Sequence, residues 1–290
     1  MNNKFISAVQ NSKRPLILDG AIGSLLQQKG FKSDPVLWTS YVNFKYPQAI
    51  VKIHTEYINA GCDIITTNTF RTNPNSITKA NAYLDQEKAV KISVDLALQA
   101  AQNSNIFVAG SNAPAEDCYQ IERTVTQNEL EYNHKTHIDL LYNNGVDFIL
   151  NETQSHFDEI KIICEHCFNN KIPYIISLFI TDDLKILSGE NITDILDFIK
   201  NFNPIIISFN CISQKTFLKL IDSIDLNFNW GFYLNVGHGN YTDSNIQCGI
   251  DEINYSEIVK SSLDLNPKLI GACCGSNSKH ISAIKKLFNE

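Results

Sequence analysis

Short apolar runs rich in β-branched residues alternate along the chain with longer segments whose apolar residues recur at helical spacing. Eight runs occur, at 15–20, 63–70, 106–112, 147–153, 173–180, 204–211, 229–237 and 268–275. The helix-like segments that follow them lie at 47–60, 86–102, 127–144, 156–169, 192–201, 215–224, 255–263 and 279–288. This alternation is typical of parallel βα units.

The apolar runs are continuously hydrophobic, as in parallel strands that are covered on both faces. Eight units favour a closed (β/α)8 TIM barrel over an open doubly wound sheet, although an open sheet with an extra strand pair would show a similar pattern. No linker, low-complexity tract or block of charge marks a boundary, and 290 residues fit one barrel. We therefore predict an α/β protein with a single barrel domain spanning residues 1–290.

Composition narrows the class of protein. The chain has 24 Lys and Arg against 31 Asp and Glu, a net charge of −7, and its basic residues are scattered, which argues against a nucleic-acid surface. It has no apolar run of about 18 residues and no signal-peptide pattern, so neither a membrane span nor secretion is predicted. The eight cysteines are expected as free thiols or metal ligands in the cytoplasm. A small polar molecule is the expected partner.

Polar residues close most of the apolar runs. Because the C-terminal ends of the strands carry the chemistry in a TIM barrel, these residues are the candidates for function. They are Asp19, Asn68, Thr69, Ser111, Asn112, Asn151, Glu152, Asn210, Cys211, Asn235, Cys273 and Cys274. The three cysteines close the sixth and eighth runs, so they are expected at the same mouth of the barrel. Together they indicate a metal site, whereas any one alone would be interpreted as a small buried apolar residue.

Three thiolates favour Zn2+, which takes four ligands and so keeps one position open for a substrate. Such a site would bind a further thiol as its thiolate and keep it nucleophilic, which suits alkyl transfer to sulfur better than activation of water. Two alternatives stay open: a barrel that binds zinc or an amino acid without turnover, and a metal-dependent lyase or hydrolase. Cys164 and Cys167 do not predict a second metal, because two thiols on one helix face lack further ligands.

The motifs resemble those of the homocysteine S-methyltransferase family over nearly the whole chain. Seven segments carry the resemblance: DGAIGSLL at 19–26, LWTS at 37–40, GCDIITTNTF at 61–70, GSNAP at 110–114, NET at 151–153, FNC at 209–211 and GACCGSNSKHI at 271–281. The departures from the family pattern, at Ser24, Ala113 and Ala272, exchange one small residue for another. The resemblance implies a TIM-barrel methyltransferase that uses zinc and makes methionine from homocysteine.

The resemblance also implies roles for individual residues. Cys211, Cys273 and Cys274 would hold Zn2+ and form the catalytic centre, with the homocysteine sulfur in the open position. Glu152 and Asp19 would pair with the ammonium group of homocysteine, because an unpaired ammonium in a partly dry cavity is costly.

Four further residues are predicted to contact substrate. Gly20 belongs to the turn 20–24, whose backbone N–H groups would take the carboxylate of homocysteine. Thr69 and Ser111 lie at strand ends. Trp38 would face the cationic methyl donor, since aromatic rings attract onium groups.

The donor is ranked from what each candidate needs. Betaine-using relatives carry aromatic residues where this chain has Arg71 and Thr153, and a folate donor ordinarily needs an additional domain. We therefore rank S-methylmethionine or S-adenosylmethionine first, betaine second and methyltetrahydrofolate third. Arg71 would either repel a sulfonium or bind a donor carboxylate, and this choice stays open. His238 is interpreted as a solvated loop histidine near the mouth.

Overall fold

The barrel is built from short strands that the computed structural model places in one sheet. The structure describes residues 3–80, 85–102, 104–239 and 246–289. In chain order its strands are β1 (Leu16–Ile17), β2 (Ile64–Thr66), β3 (Phe107–Asn112), β4 (Phe148–Gln154), β5 (Tyr174–Leu178), β6 (Ile206–Asn210), β7 (Trp230–Leu234), β8 (Gly237–His238), β9 (Gln247–Cys248) and β10 (Leu269–Ala272). All but β8 and β9, which form a small antiparallel hairpin, belong to the main sheet.

The main sheet closes on itself. Its strand order is β1-β10-β7-β6-β5-β4-β3-β2, and every neighbouring pair is parallel. A parallel bridge between Leu18, next to β1, and Ile64 of β2 joins the two ends of this order. The Asp63 N–H donates to the Ile17 carbonyl at 2.7 Å, and the Asp19 N–H donates to the Ile64 carbonyl at 2.9 Å. The predicted TIM barrel is thereby confirmed, and an open doubly wound sheet is excluded.

Helices follow the strands and cover the outside of the barrel. They are α1 (Lys4–Asn11), α2 (Gly23–Gln28), α3 (Val42–Lys45), α4 (Pro47–Ala60), α5 (Pro74–Lys79), α6 (Gln86–Ala101), α7 (Gln127–Asn143), α8 (Phe157–Asn170), α9 (Ile192–Lys200), α10 (Gln214–Ser223), α11 (Glu252–Ser262) and α12 (Ser278–Lys286). All eight predicted helices are present, with ends within three residues of those expected. Within the described ranges, no helix is long and apolar enough to cross a membrane.

Local sequence signals account for several helix ends. Thr126 and Glu129 form a capping box at the start of α7, and the side chains of Asp85 and Ser213 accept backbone N–H groups at the starts of α6 and α10. Helix α4 begins at a proline and ends at Gly61, which has a left-handed φ of 96°. Each signal satisfies backbone groups that a helix end would otherwise leave unpaired.

An apolar core fills the inside of the barrel. Buried residues from all eight barrel strands meet in one cluster: Leu16, Leu18, Ile64, Ala109, Phe148, Leu150, Ile175, Ile206, Tyr233 and Leu269. Helix α1, which the apolar pattern did not predict, adds Phe5 and Val9 to this cluster. The Phe5 ring stacks on Phe148 with centroids 3.8 Å apart. Helix α1 therefore closes the N-terminal end of the barrel and leaves the C-terminal end for the site.

Candidate functional site

A cavity of about 850 Å3 opens at the C-terminal end of the barrel. Its walls come from residues at or just beyond the ends of β1, β2, β3, β4, β6, β7 and β10. Of the strand-end candidates and predicted substrate contacts, nine line it: Asp19, Gly20, Trp38, Asn68, Ser111, Glu152, Cys211, Cys273 and Cys274. Parallel strands that run in one direction therefore bring together residues that are far apart in the sequence.

The three cysteines form one cluster in the cavity wall. Cys211 directly follows β6, and Cys273 and Cys274 directly follow β10. The Cys211 Sγ atom lies 2.7 Å from the Cys273 Sγ and 3.4 Å from the Cys274 Sγ, and all three sulfur atoms lie within 4.8 Å of one another. Because zinc binds thiolate sulfur at about 2.3 Å, a single ion could reach all three. Within the described ranges, this is the one cluster of candidate metal ligands.

The chemistry of this donor set fits zinc. Contacts with the Cys273 and Cys274 thiols hold the pKa of Cys211 well below its usual value, so one thiolate is favoured even among protein groups alone. The Tyr119 hydroxyl also hydrogen-bonds Cys211 and lowers its pKa further. Three sulfur ligands that face a cavity leave space for a fourth ligand from solvent or substrate, which is the pattern of an open zinc site.

The backbone holds the cysteine pair on both sides. The Cys273 N–H donates to the Leu234 carbonyl at 2.8 Å, and the Val236 N–H donates to the Cys274 carbonyl at 2.9 Å. Gly275 follows with a φ of 86°, and a Cβ there would lie 2.5 Å from the Gly237 Cα. Only glycine fits this position, so the residue after the cysteine pair sets the direction in which the chain leaves β10.

Two carboxylates line the cavity with the thiols, Asp19 buried and Glu152 partly buried. Asp19 is 2% exposed and accepts hydrogen bonds from the Thr66 N–H at 2.8 Å and the Thr66 hydroxyl at 3.1 Å. Burial raises the pKa of Asp19 well above its usual value, and the Glu152 charge raises it further. Glu152 accepts a hydrogen bond from the Ser111 hydroxyl, and burial raises its pKa to about 7. A cation bound between the two would favour both charged forms.

Trp38 and Gly20 lie where close packing fixes them. A Cβ on Gly23 would lie 2.2 Å from the Trp38 ring, so the indole lies directly against the backbone of the first βα turn. The same ring meets Phe70 edge-on, with centroids 5.9 Å apart. A Cβ on Gly20 would meet the Tyr57 and Ser276 hydroxyl oxygens at 2.7 Å each. At Gly20 and Gly23 the turn therefore has room for backbone but not for a side chain.

Thr69 does not lie where a substrate contact requires. Among the described residues it is fully buried and stays outside the cavity lining. Its hydroxyl donates to the Ser111 carbonyl at 2.7 Å and lies 2.7 Å from the Thr67 hydroxyl. The Thr69 hydroxyl thus bonds to protein groups on both sides and supports the backbone of Ser111. His238 is exposed in β8, as expected for a solvated histidine.

Other polar strand ends hold the barrel together. The Asn210 side chain accepts the Thr153 N–H at 2.9 Å and donates to the Thr153 hydroxyl at 2.8 Å, across from β6 to β4. The Asn112 amide donates to the Asn151 side chain at 2.8 Å. These bonds satisfy buried amides, which would otherwise be costly. Polarity at a strand end therefore indicates two different roles, and sequence alone does not separate them.

The structure adds residues that the strand-end pattern missed. Tyr119 and Cys118 come from the loop between β3 and α7, and Tyr233 lies one residue before the end of β7. The Tyr119 ring packs edge-on against Phe179, with centroids 5.1 Å apart. An aromatic residue in a loop has no periodic signal, so only the tertiary contact identifies it.

The comparison with known proteins agrees with this geometry. The family model described as homocysteine S-methyltransferase matches residues 16–288. The chain belongs to the homocysteine S-methyltransferase family. The resemblance that the seven motifs indicated is thereby confirmed, and with it the class of enzyme, a methyltransferase that acts on homocysteine.

Individual relatives of this homocysteine S-methyltransferase are distant but cover it almost fully. "Homocysteine S-methyltransferase 1" from Arabidopsis thaliana is 24% identical, over 93% of this chain and 92% of its own. "Betaine-homocysteine S-methyltransferase" from Drosophila melanogaster is also 24% identical, over 87% of each chain. The metallated form of the homocysteine methyltransferase MmuM from Escherichia coli superposes with a TM-score of 0.81 at 21% identity, over 97% of this chain and 99% of MmuM. The structural similarity to MmuM shows that the two proteins share a fold.

Proposed function

We propose that this protein binds one Zn2+ through Cys211, Cys273 and Cys274 and transfers a methyl group from an onium donor to the thiolate of homocysteine, forming methionine. The observation that carries this proposal is the meeting of three thiols and two carboxylates in one cavity. When bound, zinc would supply a Lewis acid that keeps the acceptor sulfur deprotonated at neutral pH. Free thiols in this number also favour the cytoplasm as the location.

The acceptor is oriented by the opposite ends of its amino-acid group. Glu152 and Asp19 would receive its ammonium, and the resulting ion pairs would offset the cost of burying both carboxylates. The turn 20–24 lines the same cavity and would receive the carboxylate through its backbone. The Ala21 N–H of this turn already donates to the Ser276 hydroxyl at 2.9 Å, so its neighbours would make the contact.

The methyl transfer needs no general base from the protein. A lone pair of the acceptor sulfur forms the new S–C bond while the bond between the methyl carbon and the donor's onium atom breaks. The electron pair of the broken bond stays on the donor's sulfur or nitrogen atom, which becomes neutral as the demethylated donor leaves. The contribution of the chain is therefore orientation of the two substrates in line, which can supply much of the acceleration.

The ranking of donors rests on the aromatic residues in the cavity. Betaine's trimethylammonium group is best held by several aromatic rings. The rings of Trp38, Phe70, Tyr119 and Tyr233 line this cavity, but Arg71 and Thr153 occupy the two lining positions at which betaine-using relatives carry aromatic residues. A sulfonium is already an activated methyl donor and needs fewer aromatic rings around it. We therefore keep S-methylmethionine or S-adenosylmethionine first, betaine second and methyltetrahydrofolate third.

The test is methionine formation by zinc-loaded protein with homocysteine and each of the four donors at equal concentration. We expect turnover with a sulfonium, and none after Cys211→Ser. Cys248→Ser is the matched control, because Cys248 is exposed and lies outside the described cavity lining. Absence of methionine with every donor would refute the function, and turnover with betaine but neither sulfonium would reverse the ranking.

A further inference from the structure

Arg71 occupies an unusual position in the wall of the cavity. It lies just beyond β2, and its side chain is only 12% exposed. The guanidinium carbon lies 5.2 Å from the centroid of the Phe70 ring, and Phe70 in turn contacts Trp38. The charged group is therefore held in a fixed place on the aromatic surface that borders the predicted donor position.

The hydrogen-bonding capacity of this guanidinium is largely unused. Within the described part of the chain, its one hydrogen bond is from Nη1 to the backbone carbonyl of Glu116. The nearest carboxylate oxygen, on Asp117, lies 4.0 Å from Nη2, and that side chain is 64% exposed to water. Arg123, by contrast, donates to both Asp158 and Glu159. A mostly buried guanidinium with open donors favours a planar anion, above all a carboxylate.

Lys79, the other basic residue in the described lining, is already paired. Its Nζ lies 3.5 Å from Glu116 Oε1, and its side chain is 49% exposed. Of the two basic residues in the described lining, Arg71 is thus the one with hydrogen-bond donors open to a bound anion.

Arg71 and the three thiols line the same cavity and are connected by the loop between β3 and α7. Arg71 donates to the carbonyl of Glu116 in this loop, and Cys118, two residues further on, lines the cavity. The next residue, Tyr119, hydrogen-bonds Cys211. A ligand held by Arg71 would therefore extend along this loop towards the sulfur cluster.

We propose that Arg71 binds the carboxylate of the methyl donor, and that the donor is accordingly an onium compound with a free carboxylate. This inference rests on the proposed function of the same cavity. A bound carboxylate neutralises the guanidinium, so the onium group at the other end of the donor is not repelled and can face Trp38. The alternative left open by the sequence, repulsion of a sulfonium, applies only to donors without a carboxylate.

The test compares S-methylmethionine with its carboxamide, which keeps the sulfonium and lacks the carboxylate. We expect wild-type kcat/KM to be about 10- to 100-fold lower for the carboxamide, the range for a lost hydrogen-bonded charge pair. Arg71→Met should lower kcat/KM for S-methylmethionine by a similar factor and leave the carboxamide nearly unchanged. Arg71→Lys should restore part of the preference.

Lys79→Met is the matched control, because it removes a positive charge from the same cavity and should leave the preference intact. Zinc content and the KM of homocysteine should not change in Arg71→Met. An equal loss with both donors would show a merely structural role and overturn the inference, as would an unchanged preference.

Calorimetric titration of both donors into the zinc-loaded protein with homocysteine separates this inference from the function on which it rests. Carboxylate-dependent binding that Arg71→Met abolishes, without any methionine formed, would refute the proposed function and support the inference. Methionine formation with equal binding of both donors would support the proposed function and refute the inference about Arg71.

Discussion

Asp19 and Glu152 are carboxylates of the cavity whose hydrogen-bond partners carry no positive charge. Asp19 is buried and Glu152 partly buried, and desolvation raises the pKa of each, that of Glu152 to about 7. Their hydrogen bonds from Thr66 and Ser111 orient them without supplying a positive charge. An ammonium group between them would satisfy both, which is why we assign them to the acceptor and not to proton transfer.

Glu152→Gln tests this assignment. We expect the variant to keep its zinc and to raise the KM of homocysteine about 10- to 100-fold, because it loses a charge-assisted hydrogen bond to the ammonium. Steady-state kinetics at saturating donor and metal analysis measure the two quantities. Glu116→Gln is the control, since Glu116 lines the same cavity but already accepts bonds from the Thr124 N–H and hydroxyl. A normal homocysteine KM in Glu152→Gln would contradict the assignment.

At the same scale, the sequence predicted the cysteine cluster because an adjacent pair of thiols after one strand and a third thiol after another strand together match the ligand set of a metal. It could not separate Ser111, which faces the cavity, from Thr69, which supports Ser111 from behind. Both are small hydroxyl residues at strand ends, and the difference is the direction of one side chain. Tyr119 had no signal at all, because its contact with Cys211 joins a loop to a strand end 92 positions away.

Among the elements, the loop between β3 and α7 depends on helix α8 for its position. Glu159 of α8 accepts hydrogen bonds from the Ala115 N–H at 2.8 Å and from Arg123, and its other neighbour is His134 of α7 at 2.5 Å. Arg123 also pairs with Asp158. These partners outweigh burial and lower the pKa of Glu159 to about 2. The buried carboxylate of Glu159 thus binds the loop that carries Tyr119 on both sides of it, at Ala115 and at Arg123.

Glu159→Gln should destabilise the protein by about 3 kcal/mol at neutral pH, because Arg123 loses a buried partner. The folded-state pKa of Glu159 is depressed, so its contribution is present above the unfolded value of about 4.5 and is lost as pH falls towards 2. Denaturant unfolding of wild type and variant should therefore give a stability difference that narrows below about pH 4.5. A difference that stays constant between about pH 6 and pH 3 would contradict the buried ion pair.

The elements that the sequence predicted are those with a long periodic pattern. Helix α4, for example, has the bounds that its apolar spacing, Pro47 and Gly61 indicate. Helix α1 was missed because only two of its residues, Phe5 and Val9, are buried, too few for a periodic pattern. Both pack into the core inside the barrel at its N-terminal end. The β8–β9 hairpin was missed because each strand has two residues, too few for any alternation.

In the whole molecule, the sulfur cluster connects distant parts of the barrel. Cys211 follows β6, whereas Cys273 and Cys274 follow β10, and β7 lies between these strands in the sheet. The unfolded chain separates Cys211 from Cys273 by 62 positions. A metal that binds all three thiols therefore binds the closed barrel far better than the unfolded chain, and it adds its binding free energy to the stability of the whole fold.

Removal of zinc should accordingly lower the thermal stability of the entire barrel. At a free zinc concentration of about 100 times the dissociation constant the stabilisation is about 2.7 kcal/mol, reduced by any zinc bound to unfolded cysteines. For a chain of this size that corresponds to a Tm shift of several degrees, on the scale of about 2–4 °C per kcal/mol.

Melting curves of chelated and zinc-loaded protein, together with metal analysis, measure the effect. Cys211→Ser, Cys273→Ser and Cys274→Ser should each abolish both the Tm shift and the bound zinc, because two thiolates hold the ion too weakly to select the folded state. Cys248→Ser should keep both, since Cys248 is exposed on the β8–β9 hairpin. Full zinc retention in two of the three cluster variants would show that the metal, and with it the link between β6 and β10, lies elsewhere.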